Sequence, residues 1–550
     1  MEDRGGFEAE KPTEKPQESG SKLRDALLLL LLLFVVYNAN LRLIRIEDSI
    51  PDRLLPFSLL LDRSFYLDEW VKPYLPRAHG PYGIYYVRNV EGHWLSTYPV
   101  ITSLVILPLY FVPAWWLSQQ HVQPSAGDVV LVAVIDTMEK LSASLLAAAS
   151  AVILYLALRK VAARSTSLAV SLIYGIASST WTISSQALWR HGFSELCFAL
   201  LLWVLLRSPT AGSYPFGVGF ALAVAAANKP AYALFAALFL LYFARQGRER
   251  LRLFLLPLVV IGLLVLTYNF YFFGNLLGGY PNPISAQTTK SLASRYQISI
   301  LGGLAGLLVS PSRGLLIYSP WVVFSLWGAG RLWKEDTRGW GRYLLLGVVA
   351  VLLLHARLGT WWAGWCYGPR YLTDLLPFLA FLLIPVWSRI RAKAVLRGAF
   401  IVAVAAALWV QVVGAACFPN GLWDLKPVSM DRNPKRLWDW SDTQISRTWG
   451  AGRAEPLLYY EWWEFLSMQR PLPHRSAKST SNTSQFRVTG ESDTRLGLSC
   501  SGARRLARLA GDRRPLIFQS ADGFGAPRFH RGRLPVLRHG ICRARPLANL

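Results

Sequence analysis

Charge is scarce in this chain. Only 17% of its 550 residues are Asp, Glu, Lys or Arg, where a soluble chain of that length carries about a quarter. With 53% hydrophobic residues, this excludes an ordinary soluble enzyme. Acidic residues are the scarcer kind, 33 against 58 basic ones, leaving a net charge of +25. An excess of that size would suit a nucleic acid, but its placement excludes that partner. Much of it sits in short loops between apolar runs, where the positive-inside rule puts it, and much of the rest lies in the C-terminal tail. Cysteine is also sparse. Cys197, Cys366, Cys417, Cys500 and Cys542 show no CxxC or His/Cys ligand spacing, which argues against a structural metal site. Cys500 and Cys542 could pair if the tail lies outside the cytoplasm. The first apolar run lacks a small-residue cleavage site, so it reads as an uncleaved anchor rather than a signal peptide.

What the chain does have is apolar length. Several runs exceed about 18 residues, enough to cross a hydrocarbon core of about 30 Å. The expectation is an all-α polytopic membrane protein. Residues 1–22 are polar and mixed in charge, a composition that stays disordered. Spans are expected near Ala26–Ile44, Leu141–Leu158, Thr166–Ser184, Phe193–Leu206, Phe216–Ala227, Ala231–Phe243, Phe254–Phe272, Leu315–Gly330, Tyr343–His355, Leu372–Trp387 and Ala399–Cys417. Val100–Leu117 is interrupted by Pro108 and Pro113 and could be a span or a helix lying at the interface. Taking it as interfacial lets the basic loops alternate correctly. That gives about eleven crossings in a domain over 23–417, with the N-terminus inside. Residues 418–469 form a polar, Trp-rich segment outside. Residues 470–550 carry sixteen Lys or Arg against four Asp or Glu and little hydrophobic periodicity, so no fold is expected there. Two readings fit that tail: a basic segment for anionic headgroups, or non-native sequence such as a frameshifted reading of a G+C-rich gene.

This topology gathers the unusual loops on one side. The first of them, Glu47–Pro99, is sizeable and expected to carry short interfacial helices. It holds an adjacent carboxylate pair, Asp68-Glu69, suited to accept a proton from an acceptor hydroxyl; a helix-capping or solvated pair is the plain alternative. Asp62 is a weaker rival. Lys229, in Asn228-Lys229-Pro230 between two apolar runs, could hold phosphate as a point charge, or simply snorkel. Arg313 in Ser310-Pro311-Ser312-Arg313-Gly314 and Arg370 in Tyr367-Gly368-Pro369-Arg370-Tyr371 each precede a span on the side where orientation does not call for positive charge. A guanidinium there can grip phosphate bidentately or stack on an aromatic ring. The Phe273–Tyr280 loop and Trp361-Trp362-Ala363-Gly364-Trp365 offer flexible backbone and aromatic faces for sugar or isoprenoid, though any single Trp fits an interfacial belt. His191 and Glu195, four apart, could share a helix face, with too few further ligands for a metal. His93 reads as a structural loop residue.

Taken in order, Asp68-Glu69, Ser96-Thr97-Tyr98-Pro99, Asn228-Lys229-Pro230, Tyr268-Asn269…Phe273-Gly274-Asn275, Ser310–Gly314 and Gly364–Tyr371 resemble the C-type membrane glycosyltransferase superfamily. The nearest likeness is to its protein O-mannosyltransferase and lipid A aminoarabinose transferase branch, over about residues 25–417. The resemblance implies a polyprenyl-phosphate sugar donor, an acceptor that stays open, and an active site on the extracytoplasmic face of the cell membrane. It implies Asp68 as catalytic base supported by Glu69, or Glu69 holding a divalent cation. It implies Lys229, Arg313 and Arg370 on the lipid phosphate, with Tyr98, Asn275, Tyr280 and Tyr367 lining the substrate, and inversion at the anomeric carbon. The broad soluble C-terminal domain of some relatives is not found, nor is an acceptor-binding segment. A transporter or flippase for a lipid-linked or anionic substrate is the alternative; it would show paired repeats or ionisable groups near the midplane, and no convincing repeat is found. A non-enzymatic scaffold would need no convergent cations.

Overall fold

The structure, a computed structural model, describes residues 17–75, 84–120, 124, 128–207, 212–279 and 299–468. It is mostly helical. Helices of eight or more residues, in chain order, are α1 (Gln17–Asn38), α2 (Ile50–Phe57), α3 (the continuous run Ile101–Gln119), α4 (Val129–Leu158), α5 (Arg164–Ile176), α6 (Arg190–Leu205), α7 (Tyr214–Asn228) and α8 (Ala233–Ala244). They continue as α9 (Arg248–Phe273), α10 (Ile300–Val309), α11 (Val322–Glu335), α12 (Trp340–Ala356), α13 (Ile384–Ala392), α14 (Ala394–Cys417) and α15 (Leu457–Met468). By length and composition α3, α4, α9 and α14 could cross a membrane. At about 1.5 Å per residue, even the 19-residue α3 reaches about 28 Å.

Helix α4 is central, packed against α1, α5, α6 and α15. Its buried Ala143, Ala147, Ala148 and Ala151 let neighbouring backbones approach closely, as small residues do where helices pair in an apolar medium. Helix α9 is peripheral. It leaves Leu256, Val259, Val260, Leu263 and Leu264 exposed and packs on α7, where a Cβ at Gly219 would stand 2.2 Å from the Phe254 carbonyl oxygen.

Several expectations need correction. The all-α expectation misses a β-hairpin in the first loop, β1 (Val87–Val90) and β2 (His93–Ser96), paired antiparallel with Val87 opposite Ser96 and Val90 opposite His93. Its two-residue turn places Glu91 at φ 52° and Gly92 at φ 93°, the positive-φ pair that matches strand twist. The first span ends at Asn38 rather than near Ile44, because the Asn40 amide donates to Gln186 Oε1 and the Ala415 carbonyl and the chain turns out of the helix at Leu41, φ 50°. Leu315–Gly330 is broken at Pro320, and Leu372–Trp387 is divided into short helices at Pro377 and Pro385, each of which opens a new helix. Run α3, for which the sequence leaves a span and an interfacial helix both open, is long enough to cross; it packs Ile106, Tyr110, Ala114 and Leu117 inward and leaves Leu109, Val112 and Trp115 exposed.

Residues 418–468 fold back onto the bundle. The Ala454 amide donates to the Ala416 carbonyl at 3.0 Å, the Leu458 amide to the Leu41 carbonyl at 3.2 Å, and Ser310 Oγ to the Leu437 carbonyl at 2.6 Å.

Candidate functional site

Asp68 and Glu69 open a one-turn helix and serve the hairpin. Asp68 Oδ1 accepts the Trp94 amide at 2.6 Å and Oδ2 lies 2.7 Å from His93 Nδ1, whose ring stacks on Tyr66 at 4.2 Å. Glu69 pairs with Lys72 on the surface. Neither carboxylate pairs with Lys229, Arg313 or Arg370 among the described residues. Asp62, the weaker rival, accepts the Trp70 indole N–H at 2.6 Å.

The convergence occurs around a carboxylate twenty residues earlier. Asp48, on the turn Glu47–Ser49, pairs through Oδ2 with Arg370 Nη1 at 2.7 Å. Its Oδ1 accepts the Tyr98 hydroxyl at 2.9 Å. The Arg190 guanidinium lies 3.7 Å above the Tyr98 ring, and Arg370 lies 5.1 Å above Trp189. Burial pushes the Asp48 carboxyl up, but Arg370, Arg190 and the Tyr98 hydroxyl together outweigh it and hold Asp48 below its usual range. Its neighbours go the other way. Burial and the adjacent Asp48 charge raise Glu47 to about 7. Burial raises Asp52 to about 7 against Arg190 and a Ser103 hydroxyl bond. Three carboxyls within six positions thus divide into one kept ionised and two drawn towards the neutral form.

Lys229 borders this group. Its ammonium lies 2.7 Å from Asp374 Oδ2 and 2.8 Å from His191 Nδ1. Asp374 is buried and also meets His191 and the Tyr232 hydroxyl. Trp189 joins the two halves, its ring under Arg370 and edge-on to His191 at 6.3 Å. Asn228 fixes the spacing: its amide donates to the Arg190 carbonyl at 2.9 Å and Ser194 Oγ at 2.8 Å, while its oxygen accepts the Thr102 hydroxyl at 2.8 Å. The cations Arg190, Arg370 and Lys229 therefore stand within one connected group of residues. Such a group can hold an anion beside an ionised carboxylate.

Other expected site residues lie elsewhere. Arg313, 1% exposed, directs every N–H internally: Nε on the Trp362 carbonyl, Nη1 on the Ser312 carbonyl and Gln444 Oε1, Nη2 on the Gly364 carbonyl and Asp424. It has no donor left for a phosphate, so the expectation for it is corrected. Its work is to tie residues 424–444 to the bundle. The Tyr367 hydroxyl donates to the Val410 carbonyl at 3.0 Å in a buried packing role. Asn275 closes its own turn, donating to the Phe273 carbonyl and accepting the Leu277 amide. That turn still reaches the site, since a Cβ at Gly279 would stand 2.5 Å from Thr97 Cα. Tyr280 lies outside the described residues. Among the described residues no group of three or more His, Cys, Asp or Glu is arranged to hold a metal ion.

Sequence reasoning missed Asp48, Asp52, Arg190, Asp374 and Tyr232. A signal for the first two was present: Glu47, Asp48 and Asp52 crowd into six positions just after the first apolar run of a charge-poor chain. Asp374 carried no such signal, since one acid before Leu375-Leu376-Pro377 reads as the edge of a helix. No family model and no curated protein matches the chain.

Proposed function

We propose that the protein is a membrane glycosyltransferase that moves a sugar from a polyprenyl-phosphate donor to a hydroxyl acceptor on the extracytoplasmic face. The observation that carries this reading is the half-buried Asp48, held ionised by Arg370 and Tyr98 beside Arg190, with Lys229 next to them. In this reading Asp48, rather than Asp68, takes the acceptor proton. The acceptor oxygen forms the new bond to the anomeric carbon. The bond from that carbon to the phosphate oxygen breaks, and its electron pair leaves with the lipid phosphate. Arg190, Arg370 and Lys229 stabilise the charge that develops there, most strongly in the transition state. Attack opposite the leaving group inverts the anomeric centre.

The C-type architecture of about eleven crossings belongs to the same proposal. Its support is that each of the eleven expected spans contains helix in the structure. A transporter is the second reading, favoured by Asp136, Glu139 and Lys140, all buried within the apolar α4, because ionisable groups inside a span commonly mark a transport path.

The test uses purified protein in nanodiscs with a panel of radiolabelled polyprenyl-phosphate sugars, and follows release of free lipid phosphate in wild type, Asp48→Asn and Asp68→Asn. Turnover lost only in Asp48→Asn, with donor binding kept, is the expected result. Turnover lost only in Asp68→Asn would return the base to that residue. Donor binding without turnover in wild type, together with flux into sealed vesicles, would establish transport instead.

A further inference from the structure

Helix α15 and the short helix Gln444–Gly450 carry aromatic side chains the site does not use. On α15, Leu458, Glu461 and Trp462 face the bundle. The Leu458 amide meets the Leu41 carbonyl, Glu461 pairs with Arg45, and the Trp462 indole donates to Thr137 Oγ1 at 2.7 Å. The opposite face presents Tyr459, Tyr460, Trp463 and Leu466 to the outside, with Trp463 52% exposed and stacked on Tyr459 at 6.2 Å. On the short helix, Trp449 is 55% exposed and lies 6.0 Å from Trp409. Trp409 belongs to α14, a helix long and apolar enough to cross a membrane, and is itself exposed on that helix. Through Trp449 the folded-back segment therefore continues the exposed side of a candidate span, and α15 opens seven residues after that short helix ends.

We propose that Gln444–Gly450 and α15 form an interfacial anchor, seated with Trp449, Tyr459, Tyr460 and Trp463 at the headgroup–acyl boundary of the leaflet. Tyr and Trp prefer that depth because one end of each ring system is apolar and the other can meet water. The occupant follows from the contact of Trp449 with Trp409: whatever covers Trp449 must also cover the apolar side of α14. Charge adds a second argument. Residues 419–468 carry six Lys or Arg and seven Asp or Glu, so the segment has no net attraction for anionic lipid and binds through its rings. The proposal rests on α14 crossing a bilayer and is independent of the transferase reading.

The test is depth-resolved quenching. Cys500 and Cys542 are replaced by Ser, while Cys197, Cys366 and Cys417 are buried and stay. An environment-sensitive dye is attached through Trp463→Cys, through Tyr459→Cys, or through Lys435→Cys as an exposed reference, with one chain per phosphatidylcholine nanodisc. Two anchor positions keep the test decisive if one variant fails to fold. Shallow doxyl lipid should remove emission at positions 463 and 459 and leave position 435 bright, equally with and without anionic lipid. Aqueous iodide quenching all three positions alike, with no doxyl effect, would overturn the proposal. Doxyl quenching that needs anionic lipid, or a blue shift only when two chains share a disc, would also overturn it, in favour of electrostatic docking or a self-association face.

Discussion

Two acidic pairs stand twenty residues apart in the same loop. Glu47-Asp48 and Asp68-Glu69 are alike in composition, each an adjacent Asp and Glu. Their surroundings separate them. Asp68 answers to a backbone amide and an exposed imidazole of its own hairpin, and Glu69 to a surface lysine three residues on. Asp48 answers to Arg370, more than three hundred positions away, and to Tyr98. A carboxylate whose partners are local is shaping its own loop. One whose partners arrive from distant helices is being held in place by the whole bundle.

The largest test of this contrast is catalytic. Loss of a general base typically costs about 10²–10⁴-fold, so Asp48→Asn should lower donor turnover by about that much, whereas Asp68→Asn should stay close to wild type. Comparable losses in both would erase the distinction. Two arginines sharpen it. Arg313→Ala should cost about 3–5 kcal/mol, because it strands the buried Asp424 without its cation. The readout is a lower melting temperature and early tryptic release of residues 419–468. Arg370→Ala should cost less stability, since that pair keeps some solvent contact, 17% and 15% exposed, but it should cost more turnover. If the two arginines rank the same way in both assays, their division of labour fails.

Smaller effects concern the loop itself. Asp68→Ala removes the acceptor for the Trp94 amide, a loss of about 1–2 kcal/mol, visible as faster hydrogen exchange at Trp94 with the Asp48 region unchanged. Glu47 should give the mildest effect, in pH dependence. Its folded value of about 7 lies above the ordinary glutamate value of 4.5. The folded state therefore binds that proton more tightly than the unfolded chain does. The resulting stability is complete below about pH 4.5 and is lost as pH rises through 7. Melting temperatures of wild type and Glu47→Gln between pH 5 and 8 should differ in slope, with the variant flatter; parallel curves would remove Glu47 from the account.

Apolar periodicity and loop charge made the helices legible, because a chain this poor in charge has few other ways to satisfy its backbone in lipid. The cations Lys229 and Arg370 were legible for the same reason, as expensive residues at helix ends. Arg313 was equally visible and misread: its acceptors are three carbonyls near it in the fold and three side chains from residues 424–444, Asp424, Met430 and Gln444, and nothing in Ser310–Gly314 reports that those side chains return. Asp48 was overlooked because its partners are long-range, and spacing along the chain carries no information about which helix ends meet. The hairpin lay in plain sight, in Val87–Val90, Glu91-Gly92 and His93–Ser96, but was hidden by the helical expectation for everything around it.

The carboxamide of Asn228 has a mechanical consequence. It fastens Thr102, near the start of the apolar run α3, to the Arg190 carbonyl at the head of α6. A run of 19 residues is close to the minimum that spans a hydrocarbon layer, and such a helix answers to thickness by tilting. If α3 crosses as a further span, its tilt is delivered through Asn228 to the residue whose guanidinium covers Tyr98. Bilayer thickness would act as an adjusting screw on the distance between cation and carboxylate, and turnover in lipids of graded acyl length should pass through an optimum, with a flat profile uncoupling the two.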